Sequence, residues 1–281
     1  MSNELVQGDD ASISPYSSDM APLVGSALAD AYHMLQSSLP FFKIFRSLEN
    51  THCYIARHDG RPSTVLLFTR RKRRVDVLNE MIEIDRPELE RFASRIFTQF
   101  KTVDIINFKA LKTAADGFRF PVQQHASKDT YVIALPDTPE QYTSSIGKST
   151  RANIRAQTNG LHRHFPSFKS LFFTNADITE EHIRTIIGFS EKKINAKGVA
   201  FAYDVGRITQ LARECGFVNI FSIDGRIRAG SINYRVGGSY FGEVTGYDTD
   251  YEKFGLGKLC VHQTICESIA RGGKKFYLGG G

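Results

Sequence analysis

Runs of β-branched and aromatic residues set out the last third of this chain. Residues 218–223, 226–235 and 239–246 are such runs, separated by glycine-bearing dipeptides, Asp224 with Gly225 and then Gly237 with Gly238. Glycine tolerates the positive φ that a two-residue hairpin demands, so the pattern predicts three strands in succession. Phe254, Gly255, Leu256, Gly257 and Lys258 form a loop that opens a helix to about residue 271, and residues 275–278 return as a further strand.

Upstream, apolar positions at helical spacing alternate with further short strands. Leu89, Phe92, Ala93, Ile96 and Phe100 make a stripe over residues 86–100, started by a box-like cap of Asp85 and Glu88. Ile183, Ile186, Ile187 and Ile194 make another over residues 180–195, and a shorter helix over 205–215 ends at Gly216 as its C-cap. Thr138 as N-cap, Pro139 in the first turn and Gln141 start a helix that runs to about residue 163. An apolar helical segment over 27–48, interrupted at Pro40, and strands at 53–57, 64–69, 103–108, 131–135 and 168–174 complete the pattern.

Strand pair, helix and returning strand therefore occur twice, which predicts an α/β fold of two units with mixed sheets, residues 27–136 and 137–281. Residues 79–85 of the first unit offer no equivalent of the glycine loop. Residues 1–26 are polar and acidic, unlike a signal or transit peptide, and are expected to be a disordered tail.

Composition narrows the function classes. With 281 residues, 41% hydrophobic and 23% charged, the chain has the balance of a soluble globular protein of two modest domains, and no apolar run approaches membrane-spanning length. A cytoplasmic protein is expected. Cys53, Cys215, Cys260 and Cys266 show no paired metal spacing and read as reduced thiols, so no metal is expected. The formal net charge of +6 favours a polyanionic partner without choosing among nucleic acid, anionic lipid and a phosphorylated coenzyme. Arg70, Arg71, Lys72, Arg73 and Arg74 lie between two strand-like runs and read as a solvated hairpin end. Lys148, Arg151 and Arg155 fall on one side of a helix. The nearby Ile146-Gly147-Lys148-Ser149-Thr150 imitates the end of a P-loop, but Tyr142 occupies the place of that motif's first glycine, which excludes nucleotide hydrolysis there.

Strand, glycine loop, helix and strand form a phosphate-holding arrangement. The first N–H groups of a helix have no internal partner, and glycine lets a phosphate approach them, so Gly255, Leu256, Gly257 and Lys258 are the candidate cradle. These residues in this order resemble the GNAT acyltransferases, in particular the cellulose-biosynthesis-type branch built of two GNAT-like halves. The resemblance spans residues 53–281 and is strongest from Tyr142 onward. It implies acetyl-coenzyme A or another acyl-coenzyme A as donor, its arm between the parallel strands 239–246 and 275–278, beside Val244 and Thr245, and its pyrophosphate on the glycine loop. It also matches the family's basic helix, Lys-x-x-Arg-x-x-x-Arg, to Lys148, Arg151 and Arg155, and includes Lys197 with Gly198, implying substrate contacts. The family's loop signature starts with Arg or Gln three residues before its first glycine, where this chain has Glu252.

Acyl transfer to an amine needs a neutral nucleophile, a polarised thioester carbonyl and a destination for the departing proton. Backbone N–H groups of the 239–246 strand can polarise the carbonyl, and Glu243, that strand's only carboxylate, is the first candidate for general base. Its other reading is a surface carboxylate paired with Arg228 or Arg235 across the hairpin. Asp248 and Tyr247 stand in reserve, and Tyr203, Tyr234 and Tyr240 are candidates for an acceptor pocket. His162, His164 and His262 read as structural, and no Ser-His-Asp set accompanies a nucleophile elbow.

The expected function is N-acyl transfer from acyl-coenzyme A to a small amine, by the resemblance an amino sugar or amine of envelope-polysaccharide metabolism. Two alternatives stay open: Fem-type aminoacyl transfer from charged tRNA, and a non-catalytic module that holds a polyanion through the two basic clusters. The family normally continues past the strand at 275–278, where this sequence stops at Gly279, Gly280 and Gly281. That strand is expected to keep an open edge unless the N-terminal unit, a second copy or further residues cover it, and an open edge would promote self-association.

Overall fold

The computed structural model describes residues 10–114, 117–125, 130–198 and 202–278. Two units divide the chain, Met1–Lys128 and Asp129–Gly281. In the first, β1 (Ala11–Pro15), β2 (Thr51–His58), β3 (Arg61–Arg71), β4 (Arg74–Glu83) and β5 (Ile105–Lys112) lie side by side in that order. All neighbours are antiparallel except β4 and β5, which run parallel. The helices are α1 (Ala21–Tyr32), α2 (Leu39–Phe45) and α3 (Arg86–Gln99), the last being the crossover that a parallel pair requires. Alternation along β3 divides its side chains: Val65 and Leu67 pack with Val24, Leu28 and Phe42 of α1 and α2, while Leu66 and Phe68 pack with Phe92 and Ile96 of α3. Asp85 caps α3 as expected, its carboxylate accepting from the Glu88 N–H at 2.8 Å.

The expected disordered tail is corrected over residues 10–26. β1 pairs antiparallel with β2, from Ala11 opposite Ala56 to Pro15 opposite His52, and α1 begins at Ala21. Ala11 is buried and Ile13 packs on the core, while serines alternate with them on an edge strand that ends in proline, where no ladder donor is needed. A strand this short and polar has no compositional signature of order. Residues 1–9 lie outside the described residues.

The second unit runs β6 (Val132–Ala134), α4 (Pro139–Ser145), α5 (Lys148–His164), β7 (Lys169–Thr174), α6 (Glu180–Asn195), α7 (Val205–Cys215), β8 (Gly216–Ile223), β9 (Arg226–Val236), β10 (Ser239–Tyr247), α8 (Leu256–Ala270) and β11 (Lys275–Tyr277). Its sheet has the order β6-β11-β10-β9-β8-β7. Asp224 and Gly225 both take positive φ, 51° and 73°, which closes the β8–β9 hairpin as a mirror-image turn matched to strand twist. The single helix expected over 139–163 is two: Ile146 and Gly147 are extended, and the Arg151 guanidinium donates to the carbonyls of Ser144 and Ile146 at 2.5 and 2.6 Å, satisfying the end of α4.

The strand expected at 131–135 closes this sheet rather than the first. β6 pairs antiparallel with β11, with Ile133 opposite Phe276, so the edge expected to be open is covered and the ground for self-association through it is removed. The glycines at 279–281 lie outside the described residues.

Two glycines set how closely α6 approaches the sheet. A Cβ on Gly246 of β10 would stand 2.1 Å from the Ile186 carbonyl oxygen, and one on Gly230 of β9 2.6 Å from the Ile186 side chain. On the opposite face Leu161 of α5 and Leu256 and Leu259 of α8 pack with Phe221 and Ile223. Gly246→Ala is therefore expected to destabilise the protein by about 1–3 kcal/mol in urea unfolding, the range for forced overpacking. Gly188→Ala, on the same helix but with nothing within 4 Å of the added carbon, is expected to be neutral or to stabilise by up to about 1 kcal/mol. Equal effects at the two positions would contradict the close contact.

Candidate functional site

The parallel pair β10–β11 lasts only three residues, Ser239 opposite Lys275, Tyr240 opposite Phe276 and Phe241 opposite Tyr277. Immediately beyond, the register of β10 against β9 shifts between Gly242 and Val244, so Glu243 is the extra residue of a bulge. The strands part there around a cavity of about 230 Å³, with Gly242, Glu243 and Thr245 on one side, Phe276 and Leu278 on the other, and Val261 and Thr264 of α8 between. A second cavity of about 520 Å³ shares Thr245 and Val261 with the first and extends past Tyr247, Gly257, Lys258 and His262, bordered by Thr150 and Ile154 of α5 and Lys193 of α6. Together they make one path from the glycine loop to the parting of the strands.

Gly255 is the N-cap of α8 in the left-handed region at φ 66°, which explains why glycine stands there. The first helical bond is from the Leu259 N–H to the Gly255 carbonyl at 3.1 Å, so the N–H groups of Leu256, Gly257 and Lys258 precede it; Leu256 is fully buried, which leaves Gly257 and Lys258 as the reachable donors. The space around the loop is tight. A Cβ on Gly255 would stand 2.2 Å from the Gln157 amide, and one on Gly257 2.8 Å from the Tyr247 ring. Any side chain at 257 would displace Tyr247 as well as crowd a ligand. Lys193 donates to the Tyr247 hydroxyl at 3.2 Å and lies 4.9 Å from its ring centre, so two lysines from different helices, Lys193 and Lys258, border this end of the path. Glu252 is exposed, and its carbonyl accepts from the Gly255 N–H at 2.9 Å.

Neither arginine expected to neutralise Glu243 does so. Arg228 donates to Asp248 at 2.8 Å, and Arg235 donates to the Gly237 carbonyl at 3.1 Å and lies over the Tyr240 ring. Glu243 is exposed to solvent, and the protein atoms crowded around it push its carboxyl above the ordinary carboxylate range. Tyr234 is 1% exposed, and its hydroxyl has no hydrogen-bond partner among the described residues. Burial, and then the charge of Glu243, push its phenol well above its usual value, which marks the two groups as electrostatic neighbours.

The other sequence candidates divide. Val244, Thr245, Gly257 and Lys258 border the path and Tyr247 is part of its wall, whereas Leu256 is fully buried in the core and lines neither cavity. Asp248 is engaged structurally, capping the turn after β10 and accepting from Arg228. Lys197 is exposed beyond α6, and the Tyr203 N–H donates to Glu191 at 2.8 Å, neither lining a cavity. Lys148, Arg151 and Arg155 do not face the path. The α5 side that does carries Thr150 and Ile154, and at about 100° per residue the basic residues lie well round the helix from it. In the first unit, Arg73 pairs with Asp104, Arg74 with Asp76 at 3.0 Å, and Arg70 covers the Phe100 ring, so much of the basic hairpin is engaged. Sequence reasoning did not single out Lys193, Ser231, Asn233 and Thr264, and it read His262, which lines the larger cavity, as structural. Burial lowers the His262 pKa, so this cavity residue is predominantly neutral at pH 7.

Among the described residues no group of three or more His, Cys, Asp or Glu side chains is placed to hold a metal ion, and no helix is long and apolar enough to cross a membrane. Residues 148–281 match the family model Acetyltransf_6, an acetyltransferase (GNAT) domain. The crystal structure of FemX is similar to this chain with a TM-score of 0.65 at 8% identity, over 96% of this chain and 89% of FemX. A conserved protein of unknown function from Bacteroides thetaiotaomicron is similar with a TM-score of 0.56 at 10% identity, over 95% of this chain and 90% of its own. A sequence comparison with curated proteins finds no match. Residues 148–281 are accordingly similar to GNAT acetyltransferase domains, and the two mixed sheets have the double GNAT-like fold also seen in FemX.

The raised carboxyl of Glu243 bears on stability. A carboxyl that is harder to ionise in the folded than in the unfolded state favours folding fully below its unfolded pKa, and that contribution is lost as pH rises through the folded pKa. Glu243→Gln is therefore expected to gain stability relative to the parent on going from pH 3.5 to pH 8 in urea unfolding. A difference that does not change with pH would show that Glu243 is not desolvated.

Proposed function

We propose that this chain transfers a short acyl group from an acyl-coenzyme A to an amine, with Glu243 as general base. The observation that carries the reading is the pair of adjoining cavities, sharing Thr245 and Val261, that reach from Gly257 and Lys258 of α8 to Glu243, a carboxylate with no ion pair among the described residues. The donor's pyrophosphate would meet the N–H groups of Gly257 and Lys258, with the Lys193 and Lys258 ammonium groups beside it. Its arm would follow Thr245 and Val261 inward. Backbone N–H groups around the bulge would polarise the thioester carbonyl. Glu243 would accept the amine's proton as the C–N bond forms and the C–S bond breaks, the sulfur leaving as a thiolate that water protonates. A base must be ionised to act, so the raised pKa of Glu243 moves the rising limb of the pH–rate profile above the ordinary carboxylate range.

Resemblance to the cellulose-biosynthesis branch supports an amino sugar or related amine as acceptor, and a coenzyme A donor carries a cytoplasmic location with it. One observation favours a second reading: the similarity to FemX extends over both units, which suits Fem-type aminoacyl transfer from charged tRNA.

Calorimetric titration with acetyl-coenzyme A tests the first reading. Saturable one-to-one binding is expected, weakened about tenfold by Lys193→Met with Lys258→Met, the loss of charged contacts, and little changed by Lys148→Gln with Arg155→Gln. The reverse ranking would move the anion site to the outer face of α5. Charged tRNA that binds where coenzyme A does not would favour the second reading, and its affinity would fall steeply with salt.

A further inference from the structure

The inner end of the path is more polar than an alkyl group requires. Ser231, Asn233 and Thr264 border the 230 Å³ cavity although each is no more than 1% exposed. They form one hydrogen-bonded chain: the Asn233 amide nitrogen donates to Ser231 Oγ at 2.9 Å, the Ser231 and Thr264 hydroxyls bond at 2.8 Å, and the Asn219 amide nitrogen donates to Thr264 Oγ1 at 3.3 Å. With its nitrogen committed to that chain, Asn233 presents Oδ1 3.8 Å from where a Cβ on Gly242 would stand. Gly242 is therefore a window, and the lack of a side chain there leaves an amide oxygen bare to the cavity.

The position of this window relates it to the donor. Lys258, Val261 and Thr264 step inward along α8, and Tyr247, Thr245 and Gly242 step inward along β10. A donor held by its phosphates at the glycine loop brings its acyl end to Gly242 and Asn233, a step that rests on the acyl-coenzyme A reading above. We infer that this pocket selects a short acyl group bearing a hydroxyl or another hydrogen-bonding substituent next to its carbonyl, over an unsubstituted alkyl acyl group of the same size. An alkyl group buried against Asn233 would strip water from the amide oxygen and return no hydrogen bond, whereas a hydroxyl replaces the water. Sites built around a hydrogen bond reject the analogue that lacks it far better than apolar pockets reject an added hydroxyl.

Glycolyl-coenzyme A and propionyl-coenzyme A isolate this difference, because they have the same number of non-hydrogen atoms and exchange only a hydroxyl for a methyl. In calorimetric titrations of the full chain, with free coenzyme A as reference, the glycolyl thioester is expected to bind about three- to tenfold more tightly. Gly242→Ala adds a carbon that meets nothing closer than 3.4 Å and covers Asn233. It is expected to reduce the preference for the glycolyl thioester to within about twofold. Coenzyme A that binds without any preference for the glycolyl thioester would overturn this inference alone, and absence of coenzyme A binding would overturn it together with the donor reading. A preference that survives Gly242→Ala would overturn the role of Asn233.

Discussion

A β-sheet that opens along its middle must give up ladder hydrogen bonds, and the second unit is organised around that loss. β10 continues for six residues, Gly242 to Tyr247, past its last partner on β11. A buried backbone group left unpaired costs about 1–3 kcal/mol, so both banks of the opening need support from elsewhere. On one bank β10 keeps its antiparallel ladder with β9 from Ser239 to Tyr247, broken only at the bulge. On the other, three residues of β11 are held between β10 and β6, which makes β6 a structural requirement of the site although it is far earlier in the chain. The bulge at Glu243 re-aims β10 directly after its last described pair with β11.

Close approach is the second condition, and glycine supplies it at each junction that borders the opening. Gly246 lets α6 lie on β10, Gly255 makes room for the Gln157 amide, and Gly257 makes room for the Tyr247 ring. These contacts tie α5, α6, α8 and β10 into one frame, so a substitution at the glycine loop propagates into the wall of the path. A glycine loop read only as space for phosphate therefore understates it. Tyr247, seated between Gly257 and Lys193, joins the phosphate end of the path to the helix on the far side of the sheet.

What was legible in the sequence is what depends on local chemistry. Asp224 with Gly225 specified a turn that closes in place, and Gly255 to Lys258 marked the start of α8 because positive φ and free N–H groups are properties of a few consecutive residues. Features that depend on a distant partner were not legible. β6 has three residues and acquires its role only opposite β11, and β1 is a polar edge strand stabilised by β2. The basic helix matched a pattern of residue types, yet the break at Gly147 and the engagement of Arg151 with the end of α4 turn its cations from the path. Glu243 lacked its expected arginine because the β9–β10 register sets it against Ile232 and Asn233, with Arg235 opposite Tyr240 and Arg228 beside Asp248.

The first unit shows what the same connectivity does without these conditions. Its β4 and β5 are also parallel and joined by a helix, but after an irregularity between Asp76 and Glu80 they resume pairing through Glu83 opposite Lys112, so no lasting parting follows. Where β4 leaves β3, the buried Asn79 side chain stands in for a strand, accepting from the Leu67 N–H at 2.9 Å and donating to the Val65 carbonyl at 3.3 Å. Its crossover helix starts differently too. Asp85 occupies the N-cap with a carboxylate that already accepts from the Glu88 N–H, and Pro87 contributes no N–H at all. An anion brought to that helix end would meet a like charge and fewer donors, whereas the end of α8 offers glycine and the N–H groups of Gly257 and Lys258, which precede its first helical bond. Two units of similar connectivity thus differ at the crossover helix and in the parallel pair beside it, which stays joined to Glu83 in the first unit and borders a cavity in the second.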